Sequence, residues 1–231
     1  MPGMKTDTSA LPRAHRILVV DDHPIFRHGL AQLINQEDDL EVCGEAEDYH
    51  GALRAVVDLE PDMVIVDITL RGASGIELIK EVHRQRKNLP MLVISMHDET
   101  LYAERALRAG AKGYIMKQEA SESVIQAIRQ VLSGGIYTSR RITEDIISRF
   151  FEGPAIPADS PLKSLTDREM EVFRLIGEGL SISEIGRRLH LSVKTVGTHR
   201  ERIKEKLHLK NATELLRYAL YWVEQERASD S

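Results

Sequence analysis

Short unbroken apolar runs alternate with helical spacings along the first half of the chain. The runs Arg16–Val20, Met63–Val66, Met91–Met96 and Gly113–Met116 predict strands, and Glu41–Ala46 reads as a further strand. Between them, Pro24–Asn35 places Phe26, Leu30, Leu33 and Ile34 on one side of a helix, and Gly75–Arg86 places Ile76, Ile79 and Val82 at steps of three. Tyr49–Leu59, Leu101–Ala109 and Ser121–Leu132 carry the same period. Strands that are apolar at every position, rather than at alternate ones, must be covered on both faces. Five β-α pairs of this kind predict an α/β fold with a doubly wound, five-stranded parallel sheet, flavodoxin-like in class.

Gly134-Gly135 closes that unit, and Thr143–Phe151 predicts a short helix. Glu152–Pro161 (EGPAIPADSP) holds three prolines and a glycine without apolar period, and it reads as a linker. From Leu165 onward only helical periods remain, which predicts an all-α second domain. Thr166-Asp167-Arg168-Glu169 fits a capping box at its first helix. Val172, Phe173 and Ile176 make the inner side of that helix, and Gly177 and Gly179 mark its end. Ser183 is expected to cap the next helix, with Ile185 and Leu189 inward, Leu191-Ser192 to form a tight turn, and a third helix to run from Val193 to Leu207. A fourth begins near Ala212. The expected organisation is 15–133, a linker 134–160, and a small four-helix helix-turn-helix domain 161–227.

Composition narrows the class. The chain has 231 residues, 42% hydrophobic and 29% charged, with a single cysteine, Cys43, so no intrachain disulfide forms and a reducing compartment is expected. Residues 1–15 contain no apolar stretch suited to a signal peptide, and no apolar run nears the roughly 20 residues of a membrane span. A cytoplasmic protein without a membrane partner is the expectation. The net charge of −5 conceals an asymmetry: residues 161–227 hold 13 Lys and Arg against 10 Asp and Glu, and within them 187–210 hold 8 against 2. An acidic front and a basic back suggest two tasks, the second a contact with a polyanion.

In a doubly wound sheet, ligands bind beyond the carboxyl ends of the strands. Those ends carry Asp21-Asp22 after the first strand, Asp67 after the third, Ser95 at the fourth and Lys117 after the fifth. Two carboxylates about 4 Å apart repel by roughly 4 kcal/mol at an effective dielectric near 20, so three need compensating positive charge. Lys117 supplies one charge, and a divalent ion that prefers oxygen ligands and pairs with phosphate, Mg²⁺, would supply two more. A phosphoryl group on Asp67 would meet a metal, an ammonium and a hydroxyl donor, which are the parts phosphoryl transfer needs.

The strings VVDDHPIFRHGL (19–30), PDMVIVDITL (61–70), GIELI (75–79), LVISMHDE (92–99) and AGAKGYIMK (109–117) resemble the receiver domain of response regulators. The resemblance implies that Asp67 accepts phosphate from the phosphohistidine of a sensor histidine kinase. It implies that Asp21, Asp22, Asp67 and the backbone carbonyl of Thr69 hold Mg²⁺, that Ser95 and Lys117 grip the phosphoryl group, and that Tyr114 is an aromatic switch that turns inward. Arg71 stands where that family usually has proline, which leaves the loop after Asp67 less restricted.

On a helical wheel, Val196, Ile203 and Leu207 form the core seam of the third helix of the second domain. The opposite face holds Lys194, Thr198, Glu201 and Glu205, with Thr195, Arg202 and Lys204 on the flanks. A recognition helix offers base edges its N-terminal end and phosphates its flanks. Glu201 is unfavourable for general DNA affinity, but a carboxylate can accept from cytosine N4. In the fourth helix, Leu215, Leu216, Ala219, Leu220, Trp222 and Val223 exceed what one small core needs, and Leu215, Leu216, Ala219 and Trp222 are candidate dimer contacts. The string LTDREMEVFRLIGEGLSISEIGRRLHLSVKTVGTHRERIKEKLHL (165–209) resembles the LuxR and NarL/FixJ type of DNA-binding domain. That resemblance puts Gly197, Thr198 and Glu201 at base-reading positions, with Gly197 a departure from a place that usually bears a side chain. It implies double-stranded DNA, a second copy in a homodimer formed on phosphorylation, and RNA polymerase as partners. Two other classes share parts of this pattern. A phosphatase-type hydrolase usually needs an acid/base aspartate two residues after its nucleophile, where this chain has Thr69, so an enzyme is not expected. An adaptor that has lost DNA binding draws some support from Gly197 and Glu201.

Overall fold

The structure is a computed structural model, and it describes residues 13–70, 74–97, 99–144 and 161–229. Five strands, β1 (His15–Val20), β2 (Leu40–Ala46), β3 (Met63–Val66), β4 (Met91–Ser95) and β5 (Gly113–Met116), form one parallel sheet in the order β2-β1-β3-β4-β5. They alternate with helices α1 (Pro24–Ile34), α2 (Tyr49–Leu59), α3 (Gly75–Gln85), α4 (Glu99–Ala109) and α5 (Ala120–Leu132). Successive strand side chains point to opposite faces, so both faces need cover. Ile17, Val19, Ile65 and Ile94 pack with Leu30, Ile34, Val124 and Ile128 of α1 and α5. Leu18, Val20, Val64, Val66 and Val93 pack with Val56, Ile79, Val82 and Ala103 of α2, α3 and α4.

Local chemistry sets the helix starts beside the strand ends. Pro24 opens α1 without losing a needed N–H, the Asp48 carboxylate accepts from Gly51 N at 2.7 Å at the start of α2, and Ser74 caps α3. Gly75 has no room for a side chain, because a Cβ there would overlap the backbone carbonyl of Asp67. Its N–H donates to Ile68 O at 2.7 Å, so α3 begins directly against the turn that carries Asp67.

The chain after α5 does not leave the domain at Gly134. Tyr114 N donates to Tyr137 O at 2.8 Å and Tyr137 N to Lys112 O at 2.9 Å, so Tyr137 pairs in parallel with the free edge of β5. Ser139 Oγ donates to Glu99 Oε1 at 2.9 Å, and residues 140–144 are helical with Ile142 buried. The first part of the expected linker is therefore packed on the β5–α4 side. Of the helix expected over Thr143–Phe151, residues 145–151 lie outside the described residues, as do the prolines at 154 and 157.

The second domain begins with a 3₁₀ turn (Pro161–Ser164), followed by α6 (Asp167–Gly177), α7 (Ile182–Arg188), α8 (Val193–Lys206) and α9 (Ala212–Ser229). Both bonds of the expected capping box are made between Thr166 and Glu169. A second box, Ser181 with Glu184, starts α7, so Ser181 and not Ser183 is the cap. A box needs a carboxylate three residues on, and Ser183 has Gly186 there. Gly177 is the last residue of α6, as expected, and a Cβ there would overlap Ala219 O of α9. The break comes at Gly179, whose φ of +85° favours glycine. The buried carboxylate of Glu169 accepts from Thr166 N at 2.8 Å and from Lys206 Nζ at 2.6 Å, tying α6 to the end of α8.

Gly75→Ala is expected to lower stability by about 2 kcal/mol, as overpacked cores do, and to displace the turn bearing Asp67. Chemical denaturation of the purified variant checks it.

Candidate functional sites

The backbone ladder delivers three acidic residues to one spot. Asp67 N donates to Val20 O at 2.9 Å and Asp21 N to Ala46 O at 3.0 Å, so both aspartates continue their strands' pairing. Asp21 and Asp67 are buried, and so is Lys117 just beyond β5. The Lys117 ammonium lies 2.8 Å from Asp67 Oδ2 and 2.7 Å from Asp21 Oδ2, and 4.5 Å from the centre of the Phe26 ring. The other oxygen of Asp21 accepts from His23 N at 2.8 Å. Among the described residues Asp22 Oδ1 is buried without a hydrogen-bond partner; His23 Nδ1 is 2.9 Å away but outside hydrogen-bonding geometry. Ligand atoms of Asp21, Asp22, His23 and Asp67 all lie within 4.8 Å of one another.

Burial pushes the Asp67 carboxyl above the usual carboxylate range, Lys117 opposes that and Asp21 reinforces it. For Lys117, burial works downward, but the two carboxylates outweigh it and the ammonium is held more firmly than usual. One ammonium against three carboxylates leaves the pocket short of positive charge. The orphaned Asp22 oxygen and an all-oxygen acidic set suit a hard divalent cation.

Ser95 is fully buried at the end of β4, and its Oγ accepts from His97 N at 3.3 Å. Thr69 N donates to Asp67 Oδ1 at 3.3 Å, while its hydroxyl lies 2.8 Å from His97 Nε2. Tyr114 is buried, its hydroxyl donating to His97 O at 2.6 Å, so its ring already occupies the inward position that it was expected to reach by turning. The bond to His97 O and the backbone bond from Tyr114 N to Tyr137 O hold it there. Arg71 and Gly72 lie outside the described residues. His23 and His97 escaped the sequence reading. Their spacing, next after the aspartate pair and two after Ser95, was visible, but their direction was not.

In α8, Val196 and Ile203 are fully buried. Lys194, Thr198, Glu201 and Arg202 are exposed on the far side, with Gly197 and Lys204 partly covered. Thr198 Oγ1 donates to Lys194 O at 3.1 Å, and the Thr195 hydroxyl is 2.7 Å from that of Ser192, which caps the helix. Lys204 Nζ lies 2.7 Å from Glu201 Oε2. The candidate dimer contacts divide. Leu215 and Ala219 are fully buried in the domain's own core, and Trp222 packs on Phe173 with ring centres 5.7 Å apart. A second copy could not reach the first two. Of the four, Leu216 is exposed, and Leu220 and Tyr221 continue its surface.

Known proteins agree with this architecture. Residues 17–129 match the family described as response regulator receiver domain, and residues 163–219 match the luxR family of bacterial regulatory proteins. The oxygen regulatory protein NreC of Staphylococcus carnosus is 35% identical over 209 residues, covering 89% of this chain and 96% of that protein. NreC of Staphylococcus aureus is 34% identical over the same length. Among solved structures, RcsB of Salmonella enterica serovar Typhimurium, bound to promoter P1flhDC in the presence of the phosphomimetic BeF₃⁻, is 25% identical with a TM-score of 0.67 and covers 90% of this chain and 98% of that one. The chain belongs to the response regulators that join a receiver domain to a luxR-type DNA-binding domain. It is a two-component regulator of transcription. No helix among the described residues is long and apolar enough to cross a membrane.

Because folding raises the Asp67 pKa, the ionised carboxylate destabilises the fold, and that cost grows as pH rises from the unfolded value near 3.8 through the folded one. Asp67→Asn removes it. At pH 7 and without divalent metal, the variant is expected to melt at a higher temperature than the parent, measured by calorimetry.

Proposed function

We propose that Asp67 is the phosphoacceptor and that its phosphorylation controls DNA binding by the helical domain. The observation that carries this reading is Lys117, whose ammonium bridges Asp67 and Asp21 in a buried pocket. The phosphodonor is the phosphohistidine of a sensor histidine kinase. Its P–N bond breaks, an acyl phosphate forms on an Asp67 oxygen, and the released imidazole takes a proton. Lys117 and the Ser95 hydroxyl then bind phosphoryl oxygens. Asp22, with Asp21 behind it, Asp67 and the Thr69 carbonyl would hold Mg²⁺, which supplies charge neutralisation for the incoming phosphoryl group. The working units are 15–133, 134–160 and 161–227, in a cytoplasmic protein.

Two routes lead away from the pocket. Thr69, His97 and Tyr114 are joined by hydrogen bonds, and Tyr114 N by another to Tyr137 in the segment that leaves the domain. The second route is direct. Ile68, Thr69, Leu70 and Tyr102 face Met170, Leu175 and Leu189 across a cavity of about 30 Å³, room for about one water. Beside it, Asp167 at the start of α6 accepts from Lys80 Nζ of α3 at 2.8 Å and from Arg105 Nη1 of α4 at 2.9 Å. Burial alone would raise the Asp167 pKa, but these two cations bring it below the usual range. Lys194, Thr198 and Arg202 stay exposed, so the receiver restrains where the helical domain sits without covering its basic helix. Release of this restraint favours a homodimer through the surface of Leu216, Leu220 and Tyr221. The dimer places Lys194, Thr195, Arg202 and Lys204 near phosphates and Thr198 and Glu201 near bases of double-stranded DNA, where RNA polymerase is engaged.

Phosphorylating the protein with a small phosphodonor and Mg²⁺ is expected to tighten gel-shift binding, and Asp67→Ala to abolish that response. Full retention in Asp67→Ala overturns the reading. Asp167→Ala is expected to raise DNA affinity of the unphosphorylated protein about fivefold, the low end of usual coupling energies, measured by fluorescence anisotropy.

A further inference from the structure

We propose that Glu201 reads a cytosine in the major groove and that Gly197 is the space through which it does so. This rests on the DNA-binding reading above and names what that helix selects.

The two positions form one unit. Residues four apart on a helix are neighbours, so Gly197 and Glu201 share one side of α8, and no side chain, Glu201's included, lies over the glycine. A Cβ at Gly197 would meet nothing within 4 Å, so no internal packing asks for glycine there. Its backbone conformation does not ask for one either, since Gly197 is not among the residues with positive φ. A glycine in mid-helix that neither packing nor φ requires leaves bare backbone on the outer surface, where a base edge can approach closely. Glu201 sits one turn further along with its side chain 66% exposed. Lys204 holds its Oε2 at 2.7 Å, while Oε1 has no protein partner among the described residues. The ammonium offsets repulsion between the carboxylate and DNA phosphates and leaves one acceptor oxygen facing outward.

The chemistry selects the base. An ionised carboxylate only accepts hydrogen bonds. In the major groove, guanine presents N7 and O6 and thymine O4, all acceptors that repel it. Adenine offers its N6 amine but sets the N7 acceptor beside it. Cytosine presents the N4 amine as its only polar group. Specificity therefore comes as much from rejection of the other bases as from the bond to cytosine. Thr198 has its hydroxyl proton committed to Lys194 O and so adds no competing donor.

The test selects binding sequences from random duplex DNA with the full chain phosphorylated by a small phosphodonor, then measures affinities across a salt series. The parent is expected to fix one C·G pair in each half-site, with about tenfold loss when it is changed. Glu201→Gln is expected to move the preference at that position to adenine, since an amide matches N6 and N7 together. Gly197→Ala, which adds a methyl into open space, is expected to keep its melting temperature or raise it and to lose discrimination at the same position. If Glu201→Gln selects the same sequences with the same discrimination, or Glu201→Ala tightens binding to every sequence alike, this inference falls and DNA binding stands. If the parent shows no salt-dependent binding, the DNA-binding reading falls and takes this inference with it.

Discussion

A buried ammonium held between two buried carboxylates is the constraint on which the receiver half depends. Lys117 reaches Asp67 and Asp21 at less than 3 Å on both sides, and it can do so only because β5, β3 and β1 end at the same level of one parallel sheet. Taking these charges out of water is costly, and the pair of aspartates repel each other. The arrangement persists because the ladder bonds at Asp21 N and Asp67 N and the close approach of Gly75 leave the carboxylates nowhere else to go. The result is a pocket under electrostatic tension, with one ammonium for three carboxylates and one buried oxygen of Asp22 unsatisfied. Under the proposed function, a bound cation and a phosphoryl group on Asp67 would change that balance directly.

The same tension has a short mechanical path to the output domain. The turn after Asp67 touches both His97, through Thr69, and the wall formed by Met170, Leu175 and Leu189. His97 in turn holds the Tyr114 hydroxyl, and Tyr114 shares a backbone bond with Tyr137. Hydrogen bonds and packed side chains thus connect the pocket with Tyr137 and with the face of α6. Asp167 has a double role here. It is an acidic residue in the first turn of α6, favourable to the helix dipole, and it is the acceptor for Lys80 and Arg105 of the receiver. Asp167 is about a quarter exposed in these pairs, so water screens them in part.

The helical domain was built on a different principle, with caps and close contacts replacing ladder bonds. Glu169 completes a capping box and a bond to Lys206, and Gly177 lets α9 lie directly on α6. These features consume Leu215 and Ala219 in the domain's own core, and a narrower outer strip of Leu216, Leu220 and Tyr221 is left for contact with another molecule.

Sequence patterning placed all ten receiver elements within about two residues of where they lie, because inner strands apolar at nearly every position and helices apolar at every third or fourth have few other ways to be buried; the edge strand β2 keeps Glu41 and Glu45 exposed. It also marked Asp21, Asp22, Asp67, Ser95 and Lys117 as strand-end residues, since strand ends are where such sheets gather polar groups. Three things waited for the tertiary structure. Whether Ser181 or Ser183 caps α7 turned on a reciprocal bond to Glu184 that a pattern could suggest but not choose. Whether Leu215 faces inward or outward depended on where α6 lies, and whether Tyr114 is inside depended on its bonds to His97 O and to Tyr137 O, which come from beyond β5. The roles of Thr69, His97 and Asp167 rest on contacts between residues 28 to 87 positions apart. Periodicity describes which side of an element is buried, but only the packed chain decides what it is buried against.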